Sequence, residues 1–150
     1  MCFVCTGNIC RSPMAQTVFA DALRREGLAH RVRVSSAGTG AWHVGNPADP
    51  RAAETLHRAG YTCKHVAAQL GPQHLSADLL VALDYNHLAA LCRLVAEPGR
   101  VVLLRSFDQS AGRDLAVPDP YYSGKHGFDD VLGMVRAAVP GLLAWVRDRL

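Results

Sequence analysis

Lysine is almost missing from this chain: of its 16 Lys and Arg residues only Lys64 and Lys125 are lysine, the rest being arginine. Against 13 acidic residues they leave a formal charge of +3, and no block of like charge is longer than Arg24-Arg25. That is not the footprint of a nucleic-acid binder, whereas a few well-placed arginines suit a small anionic ligand. No apolar stretch approaches the ~18 residues of a membrane span. The residues after Met1 lack the charged, apolar, small-residue order of a secretion signal, so the chain reads as cytosolic, with no membrane partner. Its 5 cysteines are an odd number in a chain long enough to bury its own core, which argues against a disulfide scaffold. Reduced thiols are expected, one of them reactive. With 150 residues, 49% of them hydrophobic and 19% charged, and with no repeat, linker or shift of composition, residues 1–150 read as a single globular domain.

Short apolar runs alternate with amphipathic stretches, the pattern of a parallel α/β sheet covered on both faces. The strand candidates are Cys2–Cys5, Val32–Ala37, Leu79–Leu83 and Val101–Phe107. Between the first two, Met14, Ala15, Val18, Phe19, Ala22 and Leu23 recur at helical spacing, and Gly27 marks the stop. A second helix is predicted from Pro50 to Ala59 and a third from Asn86 to Val95. The tail from Asp129 to Arg149 keeps an apolar face, and Pro140-Gly141 is expected to kink or split it.

The segment between the first strand and the first helix, Cys5-Thr6-Gly7-Asn8-Ile9-Cys10-Arg11-Ser12-Pro13, lies where open α/β sheets bind ligands, beyond a strand's carboxyl end. A helix N-terminus presents unpaired N–H groups and a partial positive charge, and a loop whose successive amides turn inward makes an anion cradle. Gly7 and Asn8 are the residues best able to take the left-handed backbone of such a curl, with Ser12 expected as N-cap and Pro13 as the first helical residue. Cys5 leads the loop, in surroundings that favour a thiolate nucleophile, and the Ser12 hydroxyl is within reach of its sulfur. Arg11 follows six positions later, a planar fork able to hold two phosphate oxygens. No other cysteine has an arginine at that spacing: Cys2, Cys10, Cys63 and Cys92 are followed there by Asn8, Gln16, Gln69 and Pro98.

The run Val4-Cys5-Thr6-Gly7-Asn8-Ile9-Cys10-Arg11-Ser12-Pro13-Met14-Ala15 resembles the signature of the low-molecular-weight protein-tyrosine phosphatases. The segment from Ser35 to Pro47 resembles that family's second-strand loop, and Asp119-Pro120-Tyr121-Tyr122 its acid loop. The likeness runs over essentially the whole chain, and the Trp42-His43-Val44-Gly45 variant is most similar to actinobacterial members. The resemblance implies a flavodoxin-like, doubly wound α/β fold with a four-stranded parallel sheet of order 2-1-3-4. It implies hydrolysis of phosphotyrosine in proteins through a phosphocysteine, with Cys5 as nucleophile, Arg11 as phosphate clamp and Asp119 as general acid and base. Thr6, Gly7, Asn8, Ile9, Cys10 and Ser12 fall at the phosphate site, Thr6 at its mouth, while Trp42, Tyr121 and Tyr122 wall the cleft. Ser36 and His65 hold the loop in shape. No metal or organic cofactor is implied. The partners are phosphotyrosine proteins and a cognate tyrosine kinase, and a monomer is expected. One departure stands out, because Ala68 occupies a position where members commonly carry arginine.

The residues themselves leave the choice of acid open. Asp49-Pro50 is a second Asp-Pro pair, and Asp84 and Asp108 both follow strands, so only the resemblance and the adjacent tyrosine pair favour Asp119. Asp49 and Arg51 most simply start the second helix, and His43, His74, His87 and His126 read as surface or capping residues. Cys2 and Cys5 have redox-motif spacing, but within a strand their Cα atoms lie about 10 Å apart on opposite faces, too far for a bridge. Cys5 and Cys10 differ, since a curled loop brings them within range of a reversible disulfide that shields Cys5 from over-oxidation. Two rival readings share the loop: a thioredoxin-coupled arsenate reductase, for which the relay cysteines are not paired, and a non-catalytic phosphotyrosine-binding module, which gains nothing from a thiolate.

Overall fold

The computed structural model describes residues 1–124 and 126–150. Four short strands, β1 (Cys2–Cys5), β2 (Ser35–Gly38), β3 (Leu80–Ala82) and β4 (Val101–Leu103), form one sheet of order β2-β1-β3-β4. Every pairing is parallel, with Cys2 opposite both Ser35 and Leu80, and Leu80 opposite Val101. Around the sheet lie α1 (Arg11–Arg25), α2 (Pro50–Arg58), the single turn α3 (Pro72–Leu75), α4 (Tyr85–Leu94) and α5 (His126–Arg147).

Strand side chains alternate between two cores. Phe3, Cys5, Val81 and Leu83 pack with Met14, Val18 and Phe19 of α1 and with Val131, Val135 and Leu142 of α5. Cys2, Val4, Leu80 and Ala82 face the other way, against Leu91 of α4. With both faces covered, β1 is buried at every position, which explains its unbroken apolar run. The same alternation puts Cys2 and Cys5 in different cores.

Three expectations are corrected. The second ladder starts at Ser35 rather than Val32, opposite Cys2. The fourth strand ends at Leu103, and Leu104–Phe107 coils into a 3-10 turn, because the neighbouring strand β3 offers only three residues to pair with. Nor does Pro140-Gly141 split the last helix, which runs from His126 to Arg147 without interruption. Pro140 and Arg136 are both exposed, so the carbonyl freed four residues before the proline is on the water side, and Val135, Ala138 and Leu142 keep their packing. Gly141 is needed for another reason: a Cβ there would collide with the carbonyl oxygen of Phe107.

Candidate active site

β1 delivers Cys5 to the middle of the sheet's carboxyl edge, where the chain goes to β2 on one side and β3 on the other. From there Thr6 to Cys10 curl into the start of α1. Asn8 sits at φ 58°, a left-handed conformation that asparagine tolerates. Gly7 does not share it, contrary to expectation, and is confined instead by the imidazole of His43, which a Cβ would meet at 2.8 Å. Among the described residues, none of the backbone N–H groups of Gly7, Asn8, Ile9 and Cys10 has a protein acceptor, while the Thr6 and Ile9 carbonyls bond Gly40 N–H and Asp49 N–H at 3.0 and 2.8 Å. Carbonyls tied outward and amides left free make a concave anion cradle at a helix N-terminus.

The loop is held from behind by polar groups that order one another. Asn8 is fully buried. Its Oδ1 accepts from Ala68 N–H at 2.9 Å, a backbone bond that does not depend on the side chain at that position. Its Nδ2 donates to Ser12 Oγ at 2.7 Å and to Ser36 Oγ at 3.0 Å. Ser36 in turn donates to Gln16 Oε1 at 2.6 Å. Because Ser12 accepts from Asn8, its own hydrogen is free to point at Cys5 Sγ, 2.9 Å away. Ser12 is therefore not the N-cap; α1 begins at Arg11 with Cys10 in the capping position, and the serine hydroxyl serves the sulfur. His65 donates from Nε2 to the Asn8 carbonyl at 2.6 Å, and burial pushes its imidazole pKa down against that bond. Gly38 is pressed so close that a Cβ would lie 2.7 Å from the Thr6 carbonyl oxygen.

Arg11 is 3% exposed. Its NH1 donates to Asp84 Oδ2 at 2.8 Å and to the Val117 carbonyl at 3.0 Å, and its NH2 reaches Thr6 Oγ1 at 3.4 Å. Among the described residues the guanidinium Nε takes no protein acceptor, so that edge remains for a ligand. Burial alone would raise the Asp84 carboxyl, but the bond from Arg11 and the proximity of His87 hold it below the usual range. Asp84 also caps α4, accepting from Asn86 and His87 N–H at 2.9 and 3.1 Å.

Asp119 faces the same space, its Oδ2 3.6 Å from Arg11 NH2 and its Oδ1 accepting Tyr121 N–H at 3.1 Å. The acid loop is tied at two points. Val117 N–H bonds Leu83 O at 2.8 Å, and Arg51 NH1 donates to the Tyr121 carbonyl at 3.0 Å. Arg51 stacks on the rings of Tyr121 and Phe128 while also binding Asp49, the N-cap of α2. Cys5, Thr6, Gly7, Ile9, Cys10, Arg11, Trp42, His43, Asp119, Tyr121 and Tyr122 line one cavity of about 450 Å³. Trp42 and Tyr122 are 74% and 91% exposed and form its rim. Burial beside the Asp49 carboxylate pushes Cys10 up to about 12, so it stays a neutral thiol. A larger cleft of about 690 Å³, lined by Met1, Arg33, Gln73 and Trp145 among others, holds no thiol, and the chemistry selects the smaller space.

Every residue assigned to the site from sequence thus borders this cavity or the network behind it. The parts played by Asp84, His87 and Arg51 emerge only from the structure, since sequence offers Asp84 as no more than a competing acid and Arg51 as a helix-start residue. His87 does cap α4, but it is 2% exposed and reaches the loop. The signal available for Asp84 and His87 was the capping spacing after a strand.

An anion cradle at the carboxyl edge of a parallel sheet, with a sulfur beneath it and a buried arginine beside it, defines a phosphate-ester hydrolase of the α/β class. Residues 1–150 match the family model described as low molecular weight phosphotyrosine protein phosphatase. The chain is 56% identical over 149 residues to low molecular weight protein-tyrosine phosphatase A of Mycobacterium tuberculosis, covering 99% of this chain and 91% of that one. Among solved structures it is similar to YfkJ from Bacillus subtilis, with a TM-score of 0.91 at 33% identity, covering 99% of this chain and 94% of that one. It is also similar to a Drosophila arginine phosphatase, with a TM-score of 0.89 at 26% identity over 97% of this chain and 96% of that one. The chain belongs to the low-molecular-weight protein-tyrosine phosphatase family, resembles its actinobacterial members, and is a hydrolase.

Proposed function

We propose that the chain, as one catalytic domain spanning residues 1–150, hydrolyses phosphotyrosine in proteins with Cys5 as nucleophile, Arg11 as phosphate clamp and Asp119 as acid and base. The observation that carries this reading is the Ser12 hydroxyl 2.9 Å from Cys5 Sγ, in a loop whose amide hydrogens are left for an anion. The sulfur attacks phosphorus while the loop amides and the free edge of Arg11 hold the equatorial oxygens. As the P–O bond breaks, the protonated Asp119 carboxyl gives its hydrogen to the departing phenolic oxygen. The phosphocysteine then loses its phosphoryl group to water, whose proton goes to the Asp119 carboxylate, and the sulfur leaves as a thiolate that the Ser12 hydrogen bond stabilises. Trp42, Tyr121 and Tyr122 give a phenyl ring flat surfaces to pack on. Asp119 suits the acid because it borders the cavity, whereas Asp84 is spent on Arg11 and the α4 cap, and Asp49 on Arg51.

The substrates proposed are cytoplasmic phosphotyrosine proteins opposed by a tyrosine kinase, met by a monomer. Oxidation of Cys5 and Cys10 by peroxide, with loss of two protons and two electrons and release of water, would give a disulfide that shuts the enzyme off reversibly. The deciding experiment compares the parent, Cys5→Ser and Asp119→Ala on p-nitrophenyl phosphate and on phosphotyrosine, phosphoserine and phosphoarginine peptides. Activity on p-nitrophenyl phosphate and, among the peptides, on phosphotyrosine alone, abolished by Cys5→Ser and strongly reduced by Asp119→Ala, is the expected result. Preference for phosphoarginine or full activity of Cys5→Ser overturns the reading.

A further inference from the structure

Among the described buried polar side chains without a part in catalysis, His87 is the one that bonds Thr6 of the anion loop. His87, in the first turn of α4, has both ring nitrogens committed. Its Nδ1 lies 3.2 Å from the Asp84 N–H. Asp84 Oδ1 is also 3.1 Å from Nδ1, but that oxygen already accepts the Asn86 and His87 N–H groups, and an amide N–H can only donate, so Nδ1 is the acceptor and carries no hydrogen. The ring hydrogen therefore sits on Nε2, 2.8 Å from Thr6 Oγ1, and is donated to that oxygen. Burial pushes the imidazole down to about 4, with the Arg11 charge acting the same way and the Asp84 and Asp119 carboxylates opposing it. The ring is neutral near pH 7, in the tautomer that the geometry requires.

Thr6 Oγ1 also receives Arg11 NH2 at 3.4 Å. A hydroxyl has two acceptor positions and one hydrogen. With both acceptor positions engaged from behind, the hydrogen is directed to the remaining side, where Thr6 lines the cavity with Cys5, Gly7 and Arg11. We propose that His87 is a positioning residue that turns the Thr6 hydroxyl hydrogen into the anion cavity, where Thr6 donates it to a phosphoryl oxygen. A donor aimed in advance needs no reorganisation when the anion arrives or when charge shifts during transfer. The same imidazole accepts the Asp84 N–H, and the Asp84 carboxylate holds Arg11, so the start of α4 orients two donors, Thr6 and Arg11, that belong to other elements.

The inference rests on the phosphatase reading, and equilibrium binding of inorganic phosphate tests it apart from turnover. The variants are Thr6→Val, which keeps the shape and removes the hydrogen, Thr6→Ser, His87→Ala, His87→Gln and the His87→Ala/Thr6→Val pair. The phosphate Kd comes from calorimetry and kcat/KM from p-nitrophenyl phosphate. Thr6→Val is expected to weaken both by roughly tenfold or more, the value of a hydrogen bond to a charged group. Thr6→Ser, which restores the hydroxyl, recovers most of what Thr6→Val loses. His87→Gln, whose amide can still donate, recovers most of what His87→Ala loses, and His87→Ala adds nothing in the Thr6→Val background. If Thr6→Val matches the parent, or the His87→Ala loss persists in full beside Thr6→Val, the proposal is overturned while the phosphatase reading stands. A parent that binds no phosphate overturns both.

Discussion

Asp84→Asn removes one charge and almost nothing else, which makes it the sharpest perturbation of this site. Asparagine caps helices as well as aspartate does, so the bonds from Asn86 and His87 N–H at 2.9 and 3.1 Å survive. What is lost is the carboxylate 2.8 Å from Arg11 NH1, in a pair whose side chains are 4% and 20% exposed. Removing one member of a fully buried pair costs about 3–5 kcal/mol. The single asparagine oxygen stays on the cap and its NH2 faces Arg11 NH1, but Asp84 keeps a fifth of its surface in water, so the expected loss of stability is about 2 kcal/mol. With a urea m-value of about 1–3 kcal/mol/M, the midpoint falls by roughly 1 M. Asp84→Ala loses the cap as well and falls by about 1 kcal/mol more. Activity suffers separately. The guanidinium, no longer held back, turns toward the Asp119 carboxylate already 3.6 Å from NH2, which ties up clamp and acid together and lowers kcat/KM by roughly 10- to 100-fold. Urea titration followed by circular dichroism and steady-state kinetics on p-nitrophenyl phosphate read the two effects. An Asp84→Asn protein with the parent's midpoint and the parent's kcat/KM would refute the idea that the buried pair supports both fold and clamp.

Other outcomes follow from the same network. Ser12→Ala removes the hydrogen bond to Cys5 Sγ and strands one Asn8 N–H; phosphocysteine breakdown slows by roughly 10- to 100-fold, visible as a larger pre-steady-state burst, and an unchanged burst and turnover count against it. Gly38→Ala sets a Cβ against the Thr6 carbonyl at 2.7 Å and Asn8 N at 3.1 Å, backbone atoms that cannot swing away. It costs about 1–3 kcal/mol and most of the activity, whereas parent-like urea and activity profiles would show the loop to be pliable. Stability also falls in mild acid. His87 titrates at 6.5 when unfolded and at about 4 in the fold, so on lowering the pH the unfolded chain takes up its proton first. The fold loses up to about 3 kcal/mol between those two values, in the same direction as the lowered His65 and His74. The lowered Asp49 and Asp84 act only below 3.8. Urea midpoints at pH 7 and 4.5 measure this, and a His87→Gln variant with an undiminished slope contradicts the assignment.

Much of the loop could be read before any fold was known because its parts are contiguous. Cys5, Asn8, Arg11 and Ser12 are close along the chain, and a strand followed by glycine, asparagine and a helix start leaves the backbone few ways to turn. Errors arose where a local rule met a tertiary demand. Ser12 has the chemistry of a cap, but Cys5 and Asn8 claim its hydroxyl. Pro140 breaks helices in isolation, yet in α5 its lost bond faces water while its neighbours stay packed. Leu104–Phe107 is apolar enough for a strand but has no partner to extend against.

Residue type and spacing along the chain therefore determined the anion loop and placed in it the cysteine and the arginine that we propose as nucleophile and clamp, since those depend on neighbours a few positions apart. Tertiary structure alone decided which carboxylate supports Arg11, 73 positions away, and which imidazole bonds Thr6, 81 positions away. Both arrive through the register of β1 beside β3. The same docking presents Asp119 to the cavity while holding Asp84 in the wall. Aspartate has one side chain and several uses, and only the packing of distant segments sets which use each copy serves.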